Sequence, residues 1–230
     1  IDVFPDAVAK PKTTEELRRL LSHAHEQNLC VIPYGGGTSV VGHINPLLDD
    51  RPILTISMSL MNKISAVDAE SQLVTIGAGA TGPSIERQLA KLGFKLGHYP
   101  QSWEYSTLGG WVASRSSGQQ SLQYGRIEQL FAGASIETLS GRLEIPSTPA
   151  SAAGLDMREV ILGSEGRLGI ITDVTVRVSK TPESERFEML YLPNWETGVD
   201  FARDVAQQHI PLSMLRLSNA LETASHKAIN

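Results

Sequence analysis

Cysteine is almost absent from this chain. Cys30 is the single thiol among 230 residues, which excludes an internal disulfide. It lies in the apolar run Leu29–Pro33 with no basic neighbour, which favours a buried structural thiol over a nucleophile. Because chains without disulfides suit reducing compartments, we expect a cytoplasmic protein. Peripheral membrane association of the full-length protein is a further expectation.

Long apolar runs and an excess of positive charge are missing as well. No segment approaches the ~20 apolar residues that a membrane-spanning helix needs, and no secretory signal pattern is present. The net charge of −5 argues against a nucleic acid or an anionic membrane surface as partner. Any phosphate that binds here must therefore be held by local N–H and hydroxyl groups.

Several catalytic motifs are also lacking. The six histidines show no metal-ligand spacing, so the sequence predicts no metal site. No G-x-x-x-x-G-K-[ST] stretch occurs, which excludes an ATP P-loop, and Ser164 lacks the G-x-S-x-G context of a hydrolase. Two interpretations of His98, next to Gly97, remain open: it contacts a ligand, or it is a loop histidine held by hydrogen bonds.

The chain is long enough for one large domain or two modest ones, and its character changes near Pro182. We expect a first domain over 1–183, with subdomains of about 1–60 and 61–183, and the start of a second domain over 184–230. Because the chain begins at Ile1 without a methionine and stops at Asn230 inside a helix-like stretch, we expect a fragment or a processed chain.

Hydrophobic periodicity predicts a mixture of helices and strands. Three helices are predicted: the first begins with a threonine cap at 13–14 and ends at 25, the second runs from 82 to 92, and the third from 195 to 208. Strands are predicted at 30–33, 53–58, 72–77, 170–178, 187–192 and 212–217, with a short extended stretch at 94–97. A hairpin that turns at Ser140-Gly141 is predicted from 131 onward. The Gly- and Ser-rich residues 106–125 are expected to form a buried, irregular ligand-contact segment.

Glycine is concentrated where the strand at 30–33 ends. Gly35, Gly36 and Gly37 carry no Cβ, so their N–H groups can converge on an anion, and Thr38 and Ser39 add two hydroxyl donors. A nucleotide diphosphate is the commonest biological partner of such a loop. The pattern therefore indicates a pyrophosphate-binding loop, with a tight surface turn as the alternative.

A second glycine motif, G-x-G-x-x-G at 77–82, follows a predicted strand and precedes a predicted helix. Pro83 comes directly after the third glycine and offers no N–H to a phosphate. The strand that follows also lacks the acidic residue that holds a ribose hydroxyl in Rossmann sites. A glycine-lined turn beneath another ligand-binding segment is therefore favoured over a Rossmann site.

Four segments then occur in a characteristic order: PYGGGTSV (33–40), GHYPQSWEYSTLGGWVASRSSG (97–118), YGRIEQL (124–130) and GSEGRLGIIT (163–172). Together they resemble the FAD-binding domain of the vanillyl-alcohol-oxidase-type (PCMH-type) flavoproteins. Within that superfamily the chain is similar to the alkyldihydroxyacetonephosphate synthase branch. The resemblance implies an α+β fold of two α/β subdomains, followed by the start of a ferredoxin-like cap domain.

The resemblance also implies a set of FAD-contacting residues. They are Pro33, Tyr34, Gly35, Gly36, Gly37, Thr38 and Ser39; Pro100, Gln101, Ser102, Trp103, Glu104, Tyr105, Ser106 and Thr107; Gly109, Gly110, Ala113, Ser114, Arg115 and Ser116; and Glu165, Gly166, Arg167, Leu168, Gly169, Ile170 and Ile171. Family members with covalent flavin carry histidine at the position of Thr38, so the resemblance implies non-covalent FAD.

The implied activity is the FAD-dependent exchange of an acyl for an alkyl group on dihydroxyacetone phosphate, in ether lipid synthesis. Arg115 favours this branch over oxidases and dehydrogenases of 2-hydroxy acids such as lactate or glycolate, which are the alternative. The catalytic residues are expected beyond residue 230. Arg216 is a candidate for substrate binding, with a surface ion pair as the other interpretation. A lipid or hydroxyacid substrate and a homodimer are further expectations.

Overall fold

The computed structural model describes residues 3–149 and 151–229. Its first sheet is parallel, in the order β1-β3-β2, and consists of β1 (Ala7–Ala9), β2 (Cys30–Tyr34) and β3 (Ile53–Ser57). Helix α1 (Thr14–Glu26) connects β1 to β2. Its buried side chains Leu17, Leu21 and Ala24 share a hydrophobic core with the sheet.

Helix α1 begins where the sequence predicts. The Thr13 hydroxyl accepts a hydrogen bond from the Glu16 amide at 3.2 Å, which satisfies one of the free donors at the helix start. Glu15 and Glu16 lie in the first turn, where carboxylates interact favourably with the helix dipole. The predicted capping and apolar spacing are therefore confirmed.

The second sheet is antiparallel and follows in the chain. Its strands, in the order β4-β5-β9-β7-β8, are β4 (Ile64–Asp68), β5 (Leu73–Gly77), β7 (Phe131–Thr138), β8 (Gly141–Ile145) and β9 (Ile170–Arg177). A separate two-stranded ribbon pairs β6 (Phe94–Lys95) with β10 (Ser179–Lys180). The predicted hairpin is confirmed, because β7 pairs with β8 around Leu139 and Ser140.

Short helices pack on this sheet. They are α2 (Gly82–Ala90), α3 (Leu108–Ser114), α5 (Ile127–Leu130) and α6 (Met157–Ile161), whereas α4 (Ser121–Tyr124), between α3 and α5 in the chain, has no buried residue. Ile85 and Leu89 of α2 and Trp111 of α3 are buried in the same hydrophobic core as Val174 and Val176 of β9. This packing fixes the position of α3 against the second sheet.

An ion pair joins helix α1, which packs on the first sheet, to the second sheet. The guanidinium of Arg18, on α1, donates to both carboxylate oxygens of Glu137, on β7, at 3.0–3.2 Å. Glu137 is 1% exposed, and a buried carboxylate without a partner is destabilising. Ile170, at the start of β9, also packs into the core of the first sheet.

Four local predictions are wrong. Residues 106–125 are not irregular, since they contain α3 and α4. Phe187–Leu192 and Leu212–Leu217 are not strands. Their apolar composition suits a strand, but no strand among the described residues pairs with them. Leu92, expected on the apolar face of α2, lies beyond the helix end and is 44% exposed.

Beyond β10, the described chain contains only helices as regular structure: α7 (Trp195–Gln207) and α8 (Ala220–Ile229). Helix α7 confirms the helix predicted there, and the Asn194 side chain caps it by accepting from the Thr197 amide at 2.8 Å. None of the helices in the described residues is long and apolar enough to cross a membrane.

Candidate functional site

A cavity of about 400 Å³ lies where the two sheets meet. This size is within the usual range of small-molecule sites. Its wall combines the glycine loop after β2, the segment that leads into α3, one face of α3 and the turn before β9. The lining residues are Pro33, Tyr34, Gly35, Gly36, Gly37, Thr38, Ser39, Val40, Val41, His43, Ile44, Met58, Ala78, Ser102, Ser106, Thr107, Gly109, Gly110, Trp111, Ala113, Ser114, Ser116, Glu165, Gly166, Gly169, Ile170 and Ile171.

The glycine loop is shaped by close packing. A Cβ on Gly35 would lie 2.3 Å from the Thr107 hydroxyl, and one on Gly36 would lie 2.0 Å from the Tyr105 carbonyl oxygen. Gly37 has a φ of 71°, a conformation that disfavours other residues. In the described part of the chain, no amide N–H from Gly35 to Ser39 donates to a protein acceptor. The loop therefore presents free amide donors that suit an anion.

A buried hydroxyl in the same wall also lacks a partner. Thr107 is 3% exposed, and its Oγ1 forms no hydrogen bond with any described residue. It lies between Gly35 and Gly110, since a Cβ on Gly110 would be 3.3 Å from the same oxygen. A buried, unpaired hydroxyl is unfavourable in a folded protein. Its position in the cavity wall therefore indicates a polar ligand.

Helix α3 separates the cavity from the core. Leu108, Trp111 and Val112 recur at helical spacing and are buried, which explains why this Gly- and Ser-rich segment is helical. Gly109 and Gly110, together with Ala113 and Ser114, line the cavity. Their small size lets a ligand approach the helix backbone closely.

The turn before β9 closes another side of the cavity. The Gly163 amide donates to the Val112 carbonyl at 3.1 Å, and the Glu165 amide donates to the Ala113 carbonyl at 2.9 Å. Glu165 adopts a φ of 53°, which is uncommon for a residue with a side chain. The turn is therefore held against the end of α3, with Glu165 beside the cavity.

Most of the residues expected to contact the cofactor line this cavity, but some do not. Those outside the lining are Pro100, Gln101, Trp103, Glu104, Tyr105, Arg115, Arg167 and Leu168. The Arg115 guanidinium instead donates to the Leu162 carbonyl at 3.2 Å and to the Glu159 carboxylate at 2.5 Å. Arg115 thus holds α6 against the end of α3, behind the cavity wall.

Arg216 is also outside the cavity lining. Its guanidinium forms an ion pair with Glu222, and its side chain is 56% exposed. This placement favours the surface ion pair over substrate binding.

His98 lies behind the cavity wall, against two of its lining residues. It is fully buried, its ring is 4.9 Å from that of Trp111, and its Nε2 lies 2.6 Å from the Ser116 hydroxyl, which lines the cavity. Burial lowers the pKa of His98 to about 4, so the imidazole is neutral at neutral pH. Within the described residues, His98 therefore orients a wall hydroxyl and does not line the cavity itself.

The G-x-G-x-x-G segment has a packing role. The Gly77 amide donates to the Lys63 carbonyl and the Gly79 amide to the Met61 carbonyl, each at 2.9 Å. A Cβ on Gly79 would lie 1.8 Å from the Met58 carbonyl oxygen. Because these amides are already paired, they are not free for a phosphate. The sequence-based preference for a glycine-lined turn agrees with this arrangement.

Sequence reasoning missed several lining residues: Val40, Val41, His43, Ile44, Met58, Ala78 and Trp111. Four of them follow the glycine loop closely, and that proximity is the signal that could have found them. Met58 and Ala78 directly follow β3 and β5, so their approach depends on how the two sheets are arranged. No local pattern contains that information.

The chain belongs to a flavoprotein family. The FAD binding domain family matches residues 5–145, which include the glycine loop, α3 and four of the five strands of the second sheet. FAD, the cofactor of this family, also fits the cavity, since its diphosphate needs the free amide donors and hydroxyls described above.

The comparisons with individual proteins are more specific. The chain is 40% identical over 216 residues to an alkyldihydroxyacetonephosphate synthase of Caenorhabditis elegans, covering 93% of this chain and 36% of that protein. A solved structure of alkyldihydroxyacetonephosphate synthase matches with a TM-score of 0.73 and 42% identity, over 77% of this chain and 32% of that one. A mitochondrial D-lactate dehydrogenase [cytochrome] of Arabidopsis thaliana is 30% identical over 231 residues, covering 99% of this chain and 39% of that protein. The chain thus spans between 32% and 39% of the length of these relatives.

Proposed function

We propose that this protein acts as an FAD-dependent alkyldihydroxyacetonephosphate synthase. The observation that carries the proposal is the similarity to such synthases over almost the whole chain, at 40% identity. The cavity with its free amides and the unpaired Thr107 hydroxyl supports the cofactor part of the proposal. In the proposed reaction a fatty alcohol replaces the acyl group of acyl-dihydroxyacetone phosphate, a fatty acid leaves, and no net oxidation occurs.

The residues of this chain bind and orient the cofactor. The amides of Gly35–Ser39 and the Thr107 hydroxyl would hold the diphosphate, and the small face of α3 would let the dinucleotide lie against the helix backbone. When bound, FAD supplies the electron-accepting and electron-donating chemistry. The catalytic and substrate-binding groups are proposed to belong to a part of the protein outside residues 1–230.

A dehydrogenase of a 2-hydroxy acid is the second candidate. The similarity to a D-lactate dehydrogenase at 30% identity favours it, because that alignment also extends over nearly the whole of this chain. Arg115 remains the sequence feature that favours the synthase, although it lies outside the cavity lining.

One experiment separates them. The full-length protein is incubated with acyl-dihydroxyacetone phosphate and radiolabelled fatty alcohol, and in parallel with D-lactate or glycolate and an artificial electron acceptor. We expect labelled ether product and no acceptor reduction. Acceptor reduction without ether product would support the dehydrogenase, and failure of both would reject both activities.

Other expectations remain part of the proposal. Residues 184–230 are proposed to begin a cap domain over the cofactor site, and the binding of FAD is proposed to be non-covalent because Thr38 replaces a histidine. A homodimer is also proposed, to be checked by light scattering of the full-length protein. A cytoplasmic location, with peripheral membrane association, is to be checked by cell fractionation.

A further inference from the structure

The cavity wall is poor in positive charge. Its lining contains no lysine or arginine within the described residues, and its ionisable side chains are Tyr34, His43 and Glu165. A dinucleotide brings two negative phosphates into this wall. His43 is therefore the one group among the described lining residues that can carry a positive charge near pH 7.

His43 connects two parts of the wall. Its Nδ1 lies 2.9 Å from the Ser39 hydroxyl and 3.7 Å from a carboxylate oxygen of Glu165. The histidine thus lies between the glycine loop and the turn before β9. Both contacts involve the same ring nitrogen, whereas a nucleophilic triad needs the two different nitrogens. A Ser-His-Glu hydrolase is therefore excluded by this geometry.

We propose that His43 is a proton-linked binding residue for the FAD diphosphate, taking up a proton as the dinucleotide binds. The proposal rests on FAD as the ligand of this cavity and is independent of the reaction that FAD performs. The His43 side chain is 26% exposed, so it can exchange protons with solvent.

The charges around His43 determine the direction of the effect. Glu165 faces it from the turn, and Tyr34 is the other ionisable lining residue. The 102–107 segment and α3 contribute hydroxyl and apolar groups to the lining, but no charge. The negative charge of the diphosphate favours a protonated imidazole beside it once the dinucleotide binds. FAD affinity is therefore expected to rise as the pH falls, because binding and proton uptake favour each other.

The test measures FAD binding and not activity. The dissociation constant for FAD is determined with flavin-stripped protein at several pH values, and proton uptake is obtained by calorimetry in buffers of different ionisation enthalpy. We expect the dissociation constant to increase about tenfold from pH 5.5 to 8, with uptake of up to about one proton.

Three variants make the test specific. His43→Gln should bind FAD weakly at every pH, without proton uptake, whereas His43→Lys should bind tightly throughout because its charge persists. If His43 had a purely structural role, lysine at this position would not restore FAD affinity. His25→Gln, on the exposed side of α1, is the matched control and should keep the pH dependence of the unmodified protein.

Two results would overturn the proposal. One is an FAD affinity that is independent of pH in the unmodified protein, and the other is an unchanged pH dependence in His43→Gln. Absence of FAD binding at every pH would overturn both this proposal and the assignment of FAD to the cavity. An FAD-binding protein that makes no ether product leaves the proposal standing and rejects only the synthase activity.

Discussion

At the scale of single residues, the cavity wall contains groups whose properties make sense only with a ligand. The Thr107 hydroxyl is buried without a partner, and the amides of the glycine loop are unpaired within the described chain. The buried hydroxyl costs stability in the free protein, and both kinds of group gain hydrogen bonds when a polar ligand arrives. Stability and binding should therefore respond in opposite directions to removal of the hydroxyl.

Thr107→Val tests this opposition. Valine keeps the shape and removes the unpaired hydroxyl, so the free protein should become about 1 kcal/mol more stable. FAD affinity should fall about fivefold to tenfold, because one hydrogen bond to the ligand is lost. Urea unfolding of the flavin-free protein and an FAD titration measure the two effects.

The matched control is Thr172→Val. The Thr172 hydroxyl is equally buried, but it donates to the Ser135 carbonyl at 3.1 Å and forms a 3.0 Å contact with Asp173. Its removal should destabilise the protein and leave FAD affinity unchanged. If Thr107→Val also lost stability and kept its affinity, the hydroxyl would not face the ligand.

Because His98 is buried, the free energy of unfolding should depend on pH. The pKa of His98 is about 4 in the folded protein because of burial, against about 6.5 for an exposed histidine. The unfolded chain therefore binds more protons below pH 6.5, and stability falls as the pH decreases from about 6.5 to 4, by up to about 3 kcal/mol. Urea unfolding at several pH values measures this loss. His98→Gln should show a shallower decrease, whereas an unchanged slope would contradict the assignment.

At the scale of helices and strands, sequence patterns predict those elements whose signals are local. Helix α1 has a threonine cap and regular apolar spacing, and the β7–β8 hairpin has its turn residues. Helix α3 is harder to predict, because glycines and serines mask the spacing of Leu108, Trp111 and Val112. Strand β4 is missed because four of its five residues are exposed, so the sheet edge leaves no apolar pattern.

The ion pair between α1 and β7 is a contact between elements that no local pattern contains, since Arg18 and Glu137 are 119 residues apart. Arg18→Ala would leave the buried Glu137 carboxylate with only the more distant Arg142, at 4.0 Å. We expect a loss of about 1–3 kcal/mol in the free energy of unfolding. Chemical denaturation measures it.

Arg19→Ala is the control for this prediction, because Arg19 is an exposed neighbour on the same helix. Its removal should change stability by less than about 0.5 kcal/mol. A double-mutant cycle with Glu137→Gln should recover part of the loss of Arg18→Ala, since the glutamine carries no charge that needs a partner. Additive losses would show that the two side chains do not interact.

At the scale of the whole molecule, the cavity depends on both sheets. Residues 33–44 include the end of β2 in the first sheet, whereas the 163–171 turn leads into β9 of the second. The motif order predicts which segments are involved, but not that Met58 and Ala78 meet there, because this depends on the packing of one sheet against the other. A ligand in this cavity should therefore stabilise the two sheets together.

FAD should slow hydrogen exchange equally in the cores of the two sheets. A ligand at a hundred times its dissociation constant adds about 2.7 kcal/mol to the stability of the folded state, which is about a hundredfold in exchange. We expect this factor for core amides of β3 and of β9, measured by native-state hydrogen exchange with and without FAD. At the same FAD concentration, Thr107→Val should reduce the factor about fivefold to tenfold in both strands, because its binding is weaker. Protection confined to one strand would show that the cavity does not couple the sheets, and that FAD contacts only one of them.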